Sequence, residues 1–181
     1  MKRVGIISAL STLLLAVFAS TALAAIVLTV NFDNGPRGAH FVTGTPTPEC
    51  TVESNQRVSC NSYEIAGVGN TNAVANLSAT YTAVVDCFNP GVSNRNNPIE
   101  SHETTFDVVQ TSGLIEPKNG RLTVPALNVG PRPLSATEEA SLCPNPSWKA
   151  IIRPGTIELV SFTYTVTFEG FTAPAIRITG P

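Results

Sequence analysis

Between Ala73 and Cys87 the odd positions read Ala73, Ala75, Leu77, Ala79, Tyr81, Ala83, Val85 and Cys87, while the even ones are mainly Asn76, Ser78, Thr80, Thr82 and Asp86, with Val74 and Val84 as exceptions. Successive side chains of an extended chain point to opposite faces, so this alternation predicts a long strand with one face in a core and the other in water. The same period returns from Glu158 to Phe168, where Val160, Phe162, Tyr164, Val166 and Phe168 face one way and Leu159, Ser161, Thr163, Thr165 and Thr167 the other. Two long half-buried strands in one chain commit it to a sheet architecture, into which the remaining segments must fit.

Further strands are expected at Ser59 to Ala66, Ile26 to Phe32, Ala39 to Thr43, Thr104 to Thr111, Leu114 to Glu116, Arg121 to Val124, Trp148 to Arg153 and Ala175 to Thr179. Gly67-Val68-Gly69-Asn70 is turn material, and it predicts a hairpin between Ser59–Ala66 and the long strand that follows. Asn119-Gly120 is the strongest tight-turn signal, because both residues tolerate positive φ. One helix is expected near 136–142: Ser135 and Glu138 fit a capping box, and Cys143-Pro144-Asn145-Pro146 stops the helix, since proline cannot continue it. Short antiparallel strands, one brief helix and no alternating strand and helix pattern predict an all-β, antiparallel two-sheet β-sandwich, immunoglobulin-like or similar.

At the N-terminus Met1-Lys2-Arg3 is followed by an apolar run from Val4 to Leu23, closed by Ala22-Leu23-Ala24. A cationic start, a greasy centre and small residues two apart are the layout of an export signal. The expectation is therefore a signal peptide at 1–24 and a single β-sandwich domain at 25–181. The competing reading keeps the segment as a membrane anchor, since about 20 apolar residues can span a bilayer. With the signal removed, no stable membrane insertion is expected. Loss of Lys2 and Arg3 takes the net charge from −2 to −4 with no block of either sign, which disfavours nucleic acid.

Four cysteines, Cys50, Cys60, Cys87 and Cys143, in an exported chain predict two disulfides. Three connectivities are possible. The expected one is Cys50 with Cys60, closing the short turn through Ser54-Asn55-Gln56, and Cys87 with Cys143, tying the long central strand to a distant loop. No C-x-x-C pair supports zinc.

Catalytic chemistry finds little footing. The chain has two histidines, His40 and His102, and the residue four beyond His102 is Phe106, not a second histidine. Asn31, Asp33 and Asn34 lack the spaced acidic series of a calcium loop and suit a turn. Neither a Gly-x-Ser-x-Gly elbow nor a Ser-x-x-Lys motif occurs. Glu64, Glu100, Glu116, Glu158 and Glu169 leave a carboxylate-dependent glycan hydrolase as a minor reading. Trp148, beside Cys143, reads as core packing rather than a sugar platform. No catalytic residue, metal or cofactor is therefore expected.

The stretch from Gly67-Val68-Gly69-Asn70 through Asp86-Cys87-Phe88-Asn89-Pro90-Gly91 resembles a pattern met in small exported bacterial proteins of unknown function: a glycine-asparagine turn, a strand ending in Cys, then an Asn-Pro-Gly turn. That resemblance implies an exported β-rich class and no activity. The leading expectation is a secreted, non-enzymatic binding module whose partner is an extracellular protein or glycan. Its contacts are expected from the loops Asn89 to Glu100, with Asn89, Asn94, Arg95 and Asn96, and Asn128 to Pro133, with Arg132. The alternative is a cell-envelope structural or assembly subunit, in which Ile26 to Phe32 adds to a neighbour's sheet edge.

Overall fold

A computed structural model describes residues 25–89, 91 and 98–181; the expected signal segment and Asn94, Arg95 and Asn96 lie outside the described residues. In chain order the strands are β1 (Val27–Val30), β2 (His40–Phe41), β3 (Cys50–Val52), β4 (Val58–Cys60), β5 (Tyr63–Ala66), β6 (Ala73–Phe88), β7 (Glu100–Ile115), β8 (Arg121–Val124) and β9 (Leu127–Val129). The helix α1 (Ala136–Leu142) precedes β10 (Lys149–Ile152), β11 (Glu158–Phe168) and β12 (Ile176–Gly180). The protein is mostly β, its strand pairs are antiparallel, and its α-helix is short.

The strand with the strongest alternation organises the rest. Along one edge of β6, β11 pairs with Ala73 to Thr82 and β10 with Val85 to Phe88, while β7 runs along the other edge from Ala73 to Cys87. β12 and then β1 extend this six-stranded sheet beyond β11. Two smaller sheets, β2-β5-β8 and β3-β4-β9, complete the pairing. Their apolar residues, among them Tyr63, Ile65, Leu122, Val58 and Val129, share one buried cluster with Leu77, Tyr81, Phe162 and Ile178 of the large sheet. The odd residues of β6 from Ala73 to Cys87 are all buried, as the period of two requires.

Several boundaries differ from expectation. Ser59 to Ala66 is not one strand and forms no hairpin with β6: Cys60 and Tyr63 are both buried although an odd number of residues apart, so the chain bends at Asn61-Ser62. β5 pairs with β2 and β8, and Gly67 to Asn70 carries the chain from a small sheet to the large one, with Val68 buried on the way. Thr104–Thr111 and Leu114–Glu116 join in the single strand β7. The register against β6 shifts at Val74/Asn76, where Gly113 has φ 70° and Ser112 Oγ accepts the Ala75 N–H at 2.9 Å, so the glycine marks a bulge and not a break.

Val160 also leaves its expected face. Leu159 pairs with Tyr81 and Ser161 with Thr80, which makes Val160 the extra residue of a bulge; it is 50% exposed, while Leu159 packs on the core. Asn119 and Gly120 form the expected tight turn, with φ 52° and 72° and paired bonds between Lys118 and Arg121, but β7 and β8 then diverge into different sheets. β3 and β9, of three residues each, are too short for alternation to reveal.

Both expected disulfides are present, as suits an oxidising compartment. Cys50 and Cys60 are register partners on β3 and β4. Cys87–Cys143 anchors α1 to the end of β6 in a second small core, where Val85 and Ala150 are buried and Trp148 packs against them. The capping box at Ser135 and Glu138 is formed. Among the described residues, no helix is long and apolar enough to cross a membrane.

At the centre of the main core the Tyr63 and Tyr164 hydroxyls meet at 3.1 Å. Burial pushes Tyr63 far above its ordinary range and Tyr164 from 10.0 up to about 12. A folded state that holds these protons more tightly than the unfolded chain keeps the associated stability below pH 10.0 and loses it as pH rises through about 12. Denaturant midpoints are thus expected to fall above pH 10, with phenolate absorbance appearing at the unfolding transition. Phenolate formation at its ordinary pH in the folded protein would contradict this.

Candidate functional site

The site assembles around the turn between β3 and β4. Asn55 Oδ1 accepts the Arg57 N–H at 3.0 Å, an Asx turn, and Gln56 N–H donates to Glu53 O at 2.9 Å. Gln56 thereby takes φ 67°, a conformation that residues with a Cβ seldom adopt. It is held there by the large sheet. Its carbonyl accepts the Tyr81 hydroxyl at 3.0 Å, and its side-chain Oε1 accepts the Leu159 N–H at 2.9 Å.

Tyr81 and Leu159 are opposite one another in the large sheet, at the edge of the bulge made by Val160. A bulge frees a backbone N–H from the ladder, and the Gln56 amide satisfies the one next to it. One side chain therefore joins two backbone irregularities from two sheets. Burial pushes the Tyr81 phenol up, while the charge of Arg57 pulls it the other way. Arg57 is itself held to Asn128 Oδ1 at 2.7 Å.

These elements border an open cleft of about 390 Å³. Ser54, Asn55 and Gln56 form one wall, Pro131 another, and Gly155, Ile157 and Glu158 the third. Among the described residues the lining offers hydroxyl, amide and carboxylate groups with two apolar patches, and no cation. Removing the amide by Gln56→Ala leaves the Leu159 N–H without its acceptor and is expected to cost about 1–3 kcal/mol. Urea unfolding measures this; a midpoint equal to wild type would mean that the latch carries no stability.

Asn89 Oδ1 accepts the Gly91 N–H at 3.0 Å and serves its own turn; Asn94, Arg95 and Asn96 lie outside the described residues. Arg132 forks onto Glu138 at 2.8 and 2.7 Å and lies over the Phe106 ring at 5.6 Å. That fork, with the Ser135 bonds, holds the Glu138 carboxyl well below the usual carboxylate range. Of the loop 128–133, Pro131 reaches the cleft while Asn128 and Arg132 are engaged within the chain.

Among the carboxylates, Glu64 and Glu116 share a hollow of about 290 Å³ with Lys118 and Arg121, and Arg121 lies 3.5 Å from Glu64. Glu169 accepts from Asn72 at 2.9 Å, and Glu158 belongs to the cleft. Asn31 and Asn34 serve turn and loop bonds to Asp33 N–H and Pro174 O. No group of three or more His, Cys, Asp and Glu gathers among the described residues.

Gln56 is not legible in the sequence: Ser54-Asn55-Gln56 reads as a turn, but positive φ belongs by rule to Gly or Asn, so nothing in the residue type points to it. No family model, curated protein or solved structure matches this chain.

Proposed function

We propose that the protein is an exported, non-enzymatic binding module of the cell exterior or envelope, and that the Gln56 cleft takes a neutral glycan segment. In this reading the two small sheets form the second layer of a β-sandwich, immunoglobulin-like in the broad sense. The observation that carries it is the convergence of a positive-φ Gln56 and the β11 bulge on one polar cleft, since strained backbone and bulges gather where a protein presents groups to a ligand. Amides, a hydroxyl and one carboxylate match the paired donors and acceptors of vicinal sugar hydroxyls, and Pro131 with Ile157 offers apolar surface to a ring's C–H face. The volume is at the small end of ligand sites, which suits one or two residues of a chain.

The test is binding of the purified protein to a panel of neutral polysaccharides, followed by Ser54→Ala and Glu158→Gln, neither of which removes the Asx-turn bond of Asn55. Loss of binding in both variants with unchanged unfolding midpoints supports the reading. Binding that neither variant alters, or no binding to any member of the panel, counts against it.

A further inference from the structure

The large sheet ends in β7 on one side and β1 on the other, and the two edges differ in kind. β7 carries Glu100, His102, Glu103 and Asp107 and the bulge at Ser112-Gly113, and Gln110 accepts the Asn128 N–H from β9. Charges, bulges and covering contacts are the devices that keep an edge from pairing with another chain. Among the described residues β1 shows no such device. From Ala25 to Phe32 there is no charged residue, no proline and no glycine. Among the described residues β1 pairs with β12 alone. Val27 is 52% exposed and Leu28 43%, with Ile26 and Val30 also open.

Asn31 N–H donates to Ala175 O at 2.8 Å, so the odd residues of β1 face β12. The N–H and C=O groups of Ile26, Leu28 and Val30 therefore face away from β12, toward a side that no described strand occupies. On the core side of the sheet, Ile26 and Leu28 line a hollow of about 330 Å³ with Thr47, Pro48, Glu49 and Ile178, whose one charged group belongs to a neighbouring loop and not to β1; inward side chains of an added strand would enter this space.

We infer that β1 pairs with β1 of a second copy about a two-fold axis at Leu28, independently of the cleft. An antiparallel register that opposes even residues to even residues matches these groups. Centring on Leu28 pairs Leu28 with itself and Ile26 with Val30, and on the other face Val27 with Thr29. Every opposed pair is then apolar or apolar with hydroxyl, and no like charges meet, which a two-fold contact otherwise enforces between identical edges. The interface is isologous and closes at the dimer. A single short strand pair buries less than a standard interface, so the association is weak, in the micromolar range or above.

Sedimentation velocity across micromolar to millimolar protein tests this. A concentration-dependent monomer–dimer equilibrium is expected. Leu28→Lys and Leu28→Glu, each placing like charges on the axis, are expected to weaken association at least about tenfold. An equimolar mixture of the two variants restores it. Leu28 is exposed, so both variants should keep the wild-type unfolding midpoint. A monomer at every concentration, a dimer indifferent to the substitutions, or a mixture that stays monomeric would overturn the inference. So would a monomer whose Leu28 and Val30 amides become protected from exchange only when a foreign strand-forming peptide is added, which would assign the edge to another partner.

Discussion

Alanine in place of Cys87 or Cys143 lowers the unfolding free energy by about 2 to 5 kcal/mol, the usual cost of losing a native bridge in a disulfide-bonded domain. The two cysteines are 56 residues apart, and the span between them contains β7, β8, β9 and α1. Without the bond, the unfolded chain regains the freedom of that long loop. The second core around Val85, Trp148 and Ala150 also loses its covalent anchor. The Cys50–Cys60 bridge closes a span of 10 residues between strands already paired, so its loss is expected to cost less. Chemical denaturation of the two single variants measures the order. Equal midpoints for wild type and Cys87→Ala would show that the longer bridge adds nothing.

Gly67→Ala has an effect of similar size and a different origin. Gly67 has φ 73°, and a Cβ there would lie 2.1 Å from Gly38 O, a backbone atom fixed in the turn before β2. Strain at positive φ costs on the order of 1 kcal/mol, and displacing packed backbone adds to it, so the total is expected at about 3 kcal/mol or more. Gly69, at φ 59°, has open space around its Cβ position. Gly69→Ala therefore carries the conformational term alone, about 1 kcal/mol. The difference between the two variants isolates the close approach of β5's exit to the Gly38 turn, and equal costs would show that no such approach exists.

What the sequence made legible follows from the length of each signal. β6 and β11 offer many alternating positions, and their buried faces match residue by residue except at Asp86, which is buried on the outward face, and at Leu159 and Val160, which the bulge displaces. The α1 cap was readable because Ser135 and Glu138 form a local motif that needs no tertiary partner. β3 and β9 were hidden because three residues carry too little periodicity, and their pairing depends on β4 lying between them. The false hairpin arose because local turn chemistry at Gly67-Gly69 specifies a change of direction but not which sheet the chain joins next. The cleft was least legible of all. Gln56 acts through a bulge some hundred residues away in the chain, and no spacing rule links Gln56 to Leu159.

The most direct test is an amide chemical-shift titration of the isotopically labelled protein with those neutral oligosaccharides that bind it. Saturable shifts are expected, confined to Ser54, Asn55, Gln56, Gly155 and Glu158 and to the Tyr81–Leu159 pair behind them. Shifts centred elsewhere, or no saturable shift at these residues with any sugar, would contradict the assignment of the cleft as a glycan site.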